Sequence, residues 1–171
     1  IDATKMSKIA LRRFIETEIK DAKEQNILFS VHLKATMMKF SDPIIFGHVV
    51  AVYFKNLFDK HSKSLEKLGI EAKNGIDELL SKVHSLPSPI YREILEDFQA
   101  CIEYQPSLFM VDSDKGISNL HVPSDVIIDA SMPALIREGG KGWGPDGQLH
   151  DIKCVIPDSS YAAIYDETIN F

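Results

Sequence analysis

The chain has 171 residues, 44% of them hydrophobic and 26% charged, with a formal net charge of −6. Its length suits one domain able to bury a proper core, and its composition is globular rather than disordered. The acidic balance, with no basic block longer than Arg12-Arg13, argues against a general nucleic-acid binder, and no apolar run approaches the roughly 20 residues of a membrane span.

Residues Thr4 to Gln25 place Ile9, Leu11, Phe14, Ile15, Ile19 and Ala22 at helical spacing, and Asn26 ends that helix. Ile27 to Leu33 is a short apolar run, the pattern of a strand buried on both faces. Pro43 suits the first turn of the next helix, with Ser41 or Asp42 as its N-cap, and the apolar pattern carries that helix to about Phe58. His61 to Asn74 is charge-rich and reads as exposed. Gly75 to Val83 and Pro89 to Glu103 are further amphipathic helices, separated by Pro87-Ser88-Pro89.

Leu108 to Val111 reads as a second buried strand, closed by the turn Asp112-Ser113-Asp114-Lys115-Gly116. Val126 to Ile128 is brief and β-branched, and Asp129 is placed to N-cap a helix through Ile136. Gly139 to Gly147 suits an exposed hairpin, Lys153 to Ile156 a third strand, and a last helix follows Pro157. Strands alternating with helices predict a single α/β domain over residues 1–171, with no internal repeat. Both ends read as cut: the chain opens directly into a helical pattern and stops at Phe171 without a cap. The expectation is a piece of something longer.

Lys34 is the residue whose placement costs most. An ammonium just past a buried strand needs an anion or carboxylate to meet it. It can serve as a general acid/base if desolvation lowers its pKa, as an anchor for substrate carboxylates, or simply snorkel from the strand end. Asp129 can ligate a hard divalent cation such as Mg²⁺, or act as a plain N-cap. Lys39 reads as structural or anion-attracting. Asp112 and Asp114 suit an Asx turn better than a carboxylate pair. His32 and His121 are potential metal ligands, although an isolated histidine beside apolar residues is more often a satisfied core group. Met37-Met38 reads as core filling. Cys101 and Cys154 lack metal-site spacing and fit free thiols in a reducing, cytoplasmic setting. No P-loop, GxGxxG fingerprint or nucleophile elbow occurs.

Three long stretches add a resemblance. LFSVHLKATMMKFSDPIIFGHVV, MVDSDKGISNLHVPSDVIIDASMPALIR and VIPDSSYAAIY are similar to monomeric-type NADP-dependent isocitrate dehydrogenases, and the likeness covers essentially the whole chain. It implies an internal fragment of that enzyme's large domain, a mixed sheet flanked by helices. The more distant dimeric isocitrate dehydrogenases carry a segment of the form H-K-G-N-I-M-K-F-T-E-G, whose first lysine serves catalysis. Lys34 stands five residues before Lys39 as that lysine does before the second, and Phe40-Ser41-Asp42 mirrors F-T-E. Their I-A-D-A-x-x-x-x-L pattern, whose aspartate reaches the metal, matches Ile128-Asp129-Ala130 with Leu135 following.

The resemblance implies oxidation of isocitrate at its hydroxyl carbon and decarboxylation to 2-oxoglutarate, using NADP⁺ and Mg²⁺ or Mn²⁺. It makes Lys34 the catalytic and substrate-binding lysine and Asp129 a metal ligand. Motifs for coenzyme binding, for the partner tyrosine and for two further metal aspartates have no match here, and Tyr161 and Tyr165 are not promoted to that tyrosine. The missing motifs imply that the fragment alone is inactive, and separately the apolar faces of the cut helices favour self-association. A non-catalytic binding domain that kept the fold is the competing expectation.

Overall fold

Helix α1 (Lys8–Gln25) begins where Ser7 accepts a hydrogen bond from the Ala10 amide and ends where Asn26 turns left-handed at φ 54°. In this computed structural model, which describes residues 5–171, Thr4 lies outside the described part. The buried stripe of α1 is Leu11, Ile15, Ile19 and Ala22; Ile9 and Phe14 face outward, because the stripe that meets the core is narrower than the apolar pattern.

Strand β1 (Leu28–Val31) is buried at all four residues. It pairs in parallel with β5 (Leu149–Val155), from Leu28 opposite Ile152 to Val31 opposite Val155. On its other edge the Phe29 amide donates to the Ser107 carbonyl at 2.8 Å and the Phe109 amide to the Phe29 carbonyl at 3.0 Å. Burial of all four successive side chains means that both faces of the strand are covered, which explains the absence of apolar–polar alternation. Strand β4 (Lys141–Trp143) pairs antiparallel with the far edge of β5, so the sheet is mixed. Strands β2 (Met110–Asp112) and β3 (Ile117–Ser118) form a separate hairpin around the expected Asp112–Gly116 turn.

Helix α2 (Ser41–Tyr53) buries Ile45, Phe46, Val49, Val50, Val52 and Tyr53. Its N-cap position is Phe40, and neither Ser41 nor Asp42 caps it through a side chain. It does not run to Phe58. Helical geometry is interrupted at Phe54 (ψ 32°) and again at His61 (ψ 14°), which divides the run into α2, α3 (Lys55–Lys60) and α4 (Ser62–Lys67), and Tyr53, Phe54 and Leu57 are all buried in one core. Gly47 is required by contact: a Cβ there would lie 2.8 Å from the backbone of Lys73. The expectation of exposure for residues 61–74 is corrected, since His61, Leu65 and Ile70 turn inward while the charges between them face solvent.

Helices α5 (Ile76–Lys82) and α6 (Ser88–Tyr104) fall on either side of the proline break, as expected. Helix α7 (Ile128–Arg137) and helix α8 (Ser159–Asn170) pack around a second, smaller core of Ile128, Met132, Leu135 and Tyr161. Met38 contributes to that core, but Met37 is 71% exposed and fills nothing. The architecture is mixed α/β. Among the described residues no helix is long and apolar enough to cross a membrane.

Candidate active-site cluster at the end of strand β1

Past β1 the chain keeps pairing for two residues. The Leu33 amide donates to the Val126 carbonyl and the Ile128 amide to the Leu33 carbonyl, both at 2.8 Å. The chain then leaves this parallel pairing with Lys34 on one segment and Asp129 on the other. Carboxyl ends of parallel strands are where open α/β sheets place ligands.

Lys34 Nζ lies 2.6 Å from Asp129 Oδ1, with the lysine side chain 23% and the aspartate 46% exposed. Two of the residues singled out by sequence therefore meet. The Tyr165 hydroxyl approaches the same oxygen at a long 3.4 Å. Asp129 is not the N-cap of α7: that position is Ile127, and no side chain caps the helix. The carboxylate is turned to the lysine instead. The hydrogen bond to Asp129 holds the Lys34 ammonium above its ordinary pKa, outweighing what burial takes away. Of the alternatives open for Lys34, this favours the charged anchor over the lysine whose pKa desolvation lowers.

The main chain of Lys34 is also held. Its amide donates to Asp42 Oδ2 at 2.7 Å and to the Tyr161 hydroxyl at 2.9 Å, and Tyr161 donates to the same Asp42 oxygen at 2.8 Å. Asp42 is fully buried. Burial pushes its carboxyl above the usual range, opposed by the Tyr161 hydrogen bond and reinforced by the neighbouring Asp158 carboxyl. Asp158 is also raised by burial, but the Ser160 hydroxyl and amide outweigh that and leave it lowered. Sequence reading missed Asp42 as a side-chain acceptor, because Ser41-Asp42-Pro43 looks like an ordinary cap. Nothing local to Tyr161 announces its reach across 127 positions.

His32 is buried between two hydroxyls, with Ser30 Oγ at 2.7 Å from Nε2 and Ser131 Oγ at 2.7 Å from Nδ1. Burial pushes its pKa down to about 4, so the ring is neutral. His121 takes the Ser118 amide on Nδ1 at 3.0 Å. Neither joins a cluster of metal-ligating groups; among the described residues such a cluster is His61, Glu93 and Asp97. There the Lys60 ammonium already bridges Glu93 and Asp97, at 2.9 and 2.7 Å. Lys39 is exposed, and Asp112 accepts from the Lys115 amide and ammonium, as a turn residue does.

A Mg²⁺-type site needs several oxygens, of which the protein commonly supplies one or two carboxylates. Asp129, accessible and in the first turn of α7, fits as one such ligand. The described residues near it supply no second free carboxylate, since Asp42 is buried and committed. The donor set fits a contribution to a metal site rather than a complete one, and no described motif suits a dinucleotide phosphate.

The family model of monomeric isocitrate dehydrogenase matches residues 1–171. This chain belongs to that family. It is 56% identical over 169 residues to the isocitrate dehydrogenase (NADP) of Azotobacter vinelandii, covering 99% of this chain and 23% of that enzyme. It is 54% identical to isocitrate dehydrogenase (NADP) 2 of Colwellia maris and 53% identical to that of Mycobacterium tuberculosis, covering 100% of this chain and 23% of each. The chain therefore spans about a quarter of the length of these isocitrate dehydrogenases.

Proposed function

We propose that this chain is one α/β half of the large domain of an NADP-dependent isocitrate dehydrogenase, and that it lends Lys34 and Asp129 to an active site built mainly by the rest of the enzyme. The observation that carries this is the 2.6 Å contact between Lys34 and Asp129 at the carboxyl end of β1.

The reaction removes a hydride from the hydroxyl-bearing carbon of isocitrate and a proton from that hydroxyl's oxygen, and CO₂ then leaves to give 2-oxoglutarate. A Mg²⁺ or Mn²⁺ held in part by Asp129 would supply Lewis-acid polarisation of the substrate oxygen, and NADP⁺, held by the rest of the enzyme, would supply the hydride acceptor. Asp129 is the carboxylate this chain offers to the cation. Lys34, held as an ammonium, offsets substrate carboxylate charge and moves a proton at the substrate oxygen. Before substrate arrives each neutralises the other, which removes the cost of two unpaired charges at the mouth of the sheet.

The free thiols Cys101 and Cys154 suit a cytoplasmic enzyme. Exposed Phe40, Ile44, Ile164 and Ile169 are surfaces through which the isolated chain self-associates. The test is Lys34→Met in the full-length enzyme, expected to lower kcat by about a hundredfold or more while the protein stays folded. Wild-type turnover in that variant would overturn the assignment.

A further inference from the structure

We propose that Asp42 and Tyr161 are positioning residues, which grip the main-chain amide of Lys34 and so aim its ammonium at the reaction centre. The proposal rests on the reading of Lys34 as the catalytic lysine.

Lys34 is the point where β1's pairing runs out. Leu33 still exchanges backbone hydrogen bonds with Val126 and Ile128, but the Lys34 amide goes to side chains instead. Those side chains come from α2 and α8, elements far apart in sequence. The three contacts close a triangle: amide to carboxyl at 2.7 Å, amide to phenol at 2.9 Å, phenol to carboxyl at 2.8 Å. The remaining Asp42 oxygen takes the Ser41 hydroxyl at 3.2 Å, and Asp158, the N-cap of α8, lies beside it. Burying a carboxyl completely is costly, and a main-chain amide at a strand end ordinarily needs only water or a serine. A network this closed, with its output on one amide, fixes where the Lys34 Cα sits. A shift of about 1 Å at a reacting group is worth about a hundredfold in rate. Tyr161 adds a second tether, because its ring is packed in the core shared by α7 and α8, and α7 carries Asp129.

A double-mutant cycle in the full-length enzyme tests this, with residual rates measured at enzyme in excess over substrate. Tyr161→Phe keeps the ring and removes only the hydroxyl. It is expected to lower kcat about tenfold with KM for isocitrate within about twofold. In a Lys34→Met background the same change is expected to cost less than about twofold, since the ammonium it aims is gone. Asp42→Asn run alongside is expected to behave in the same way, and Tyr161→Phe decides alone if Asp42→Asn does not fold. A full tenfold loss in the Lys34→Met background would show general structural support and overturn the proposal, as would wild-type kcat for Tyr161→Phe. Wild-type kcat for Lys34→Met itself would remove the reading beneath it, a result distinct from either.

Discussion

Lys34 Nζ and Asp129 Oδ1 stand 2.6 Å apart although 95 positions separate them in sequence. The contact is set by main-chain pairing, because Leu33 and Ile127 form a parallel bridge and the two residues follow it on adjacent segments. Neither charge is buried, so the pair is a weak contributor to stability. Its value is in placing an ammonium and an accessible carboxylate side by side where the sheet ends.

If Asp129 is a metal ligand, removing its charge raises the metal requirement and leaves the fold alone. Asp129→Asn in the full-length enzyme is expected to raise the Mg²⁺ or Mn²⁺ concentration for half-maximal activity by about tenfold or more, given that even outer-shell partners are worth about that. Metal titration of initial rates checks this. Because Asp129 caps nothing, the thermal midpoint is expected to stay within about 2 °C, roughly 0.5 kcal/mol or less.

The isolated chain is expected to be inactive. One accessible carboxylate and one ammonium do not hold a divalent cation and a tricarboxylate, and no described residue group suits the coenzyme. Purified chain with isocitrate, NADP⁺ and Mn²⁺ should give no NADPH absorbance above a protein-free blank. A rate that disappears in Lys34→Met would contradict this expectation.

His32 makes stability depend on pH. Its ring has a pKa near 6.5 in the unfolded chain and about 4 when folded. Between those values the unfolded state binds a proton that the folded state refuses, so stability falls as pH falls through the window. The loss from pH 6.5 to 5 is expected to be about 2 kcal/mol. Urea denaturation at the two pH values measures it, and His32→Gln, which cannot titrate, should remove most of that difference.

Gly47→Ala separates propensity from packing. Alanine favours a helix interior by about 1 kcal/mol over glycine. Here its Cβ would lie 2.8 Å from the Lys73 backbone, and forcing such a contact typically costs about 1–3 kcal/mol. The net expectation is a destabilisation of about 1 kcal/mol, read as a lower urea midpoint with an unchanged slope. A stabilised variant would mean that residues 72–74 move aside freely.

What could be read from the chain was whatever short-range chemistry dictates. The stripe of Leu11, Ile15, Ile19 and Ala22 is a helix because apolar groups recur every third or fourth residue. Leu28–Val31 is a doubly covered strand because nothing polar interrupts it except Ser30, whose hydroxyl accepts from the buried Asn119 amide. The Pro87-Ser88-Pro89 break and the Asp112–Gly116 turn follow from backbone restriction and Asx hydrogen bonding. Lys34 and Asp129 stood out as well, one for the cost of its position and both for the motifs around them.

Tertiary structure decided which partner each polar group takes. Asp129 and Asp42 both look like helix caps, and neither caps, because a lysine and a main-chain amide arriving from elsewhere compete for their oxygens. Tyr161 has no local signature of reaching Lys34, and His61 lies buried in a segment whose charges suggest exposure. Periodicity is written over a few residues, whereas these contacts span tens to more than a hundred, so only the folded chain brings them within reach.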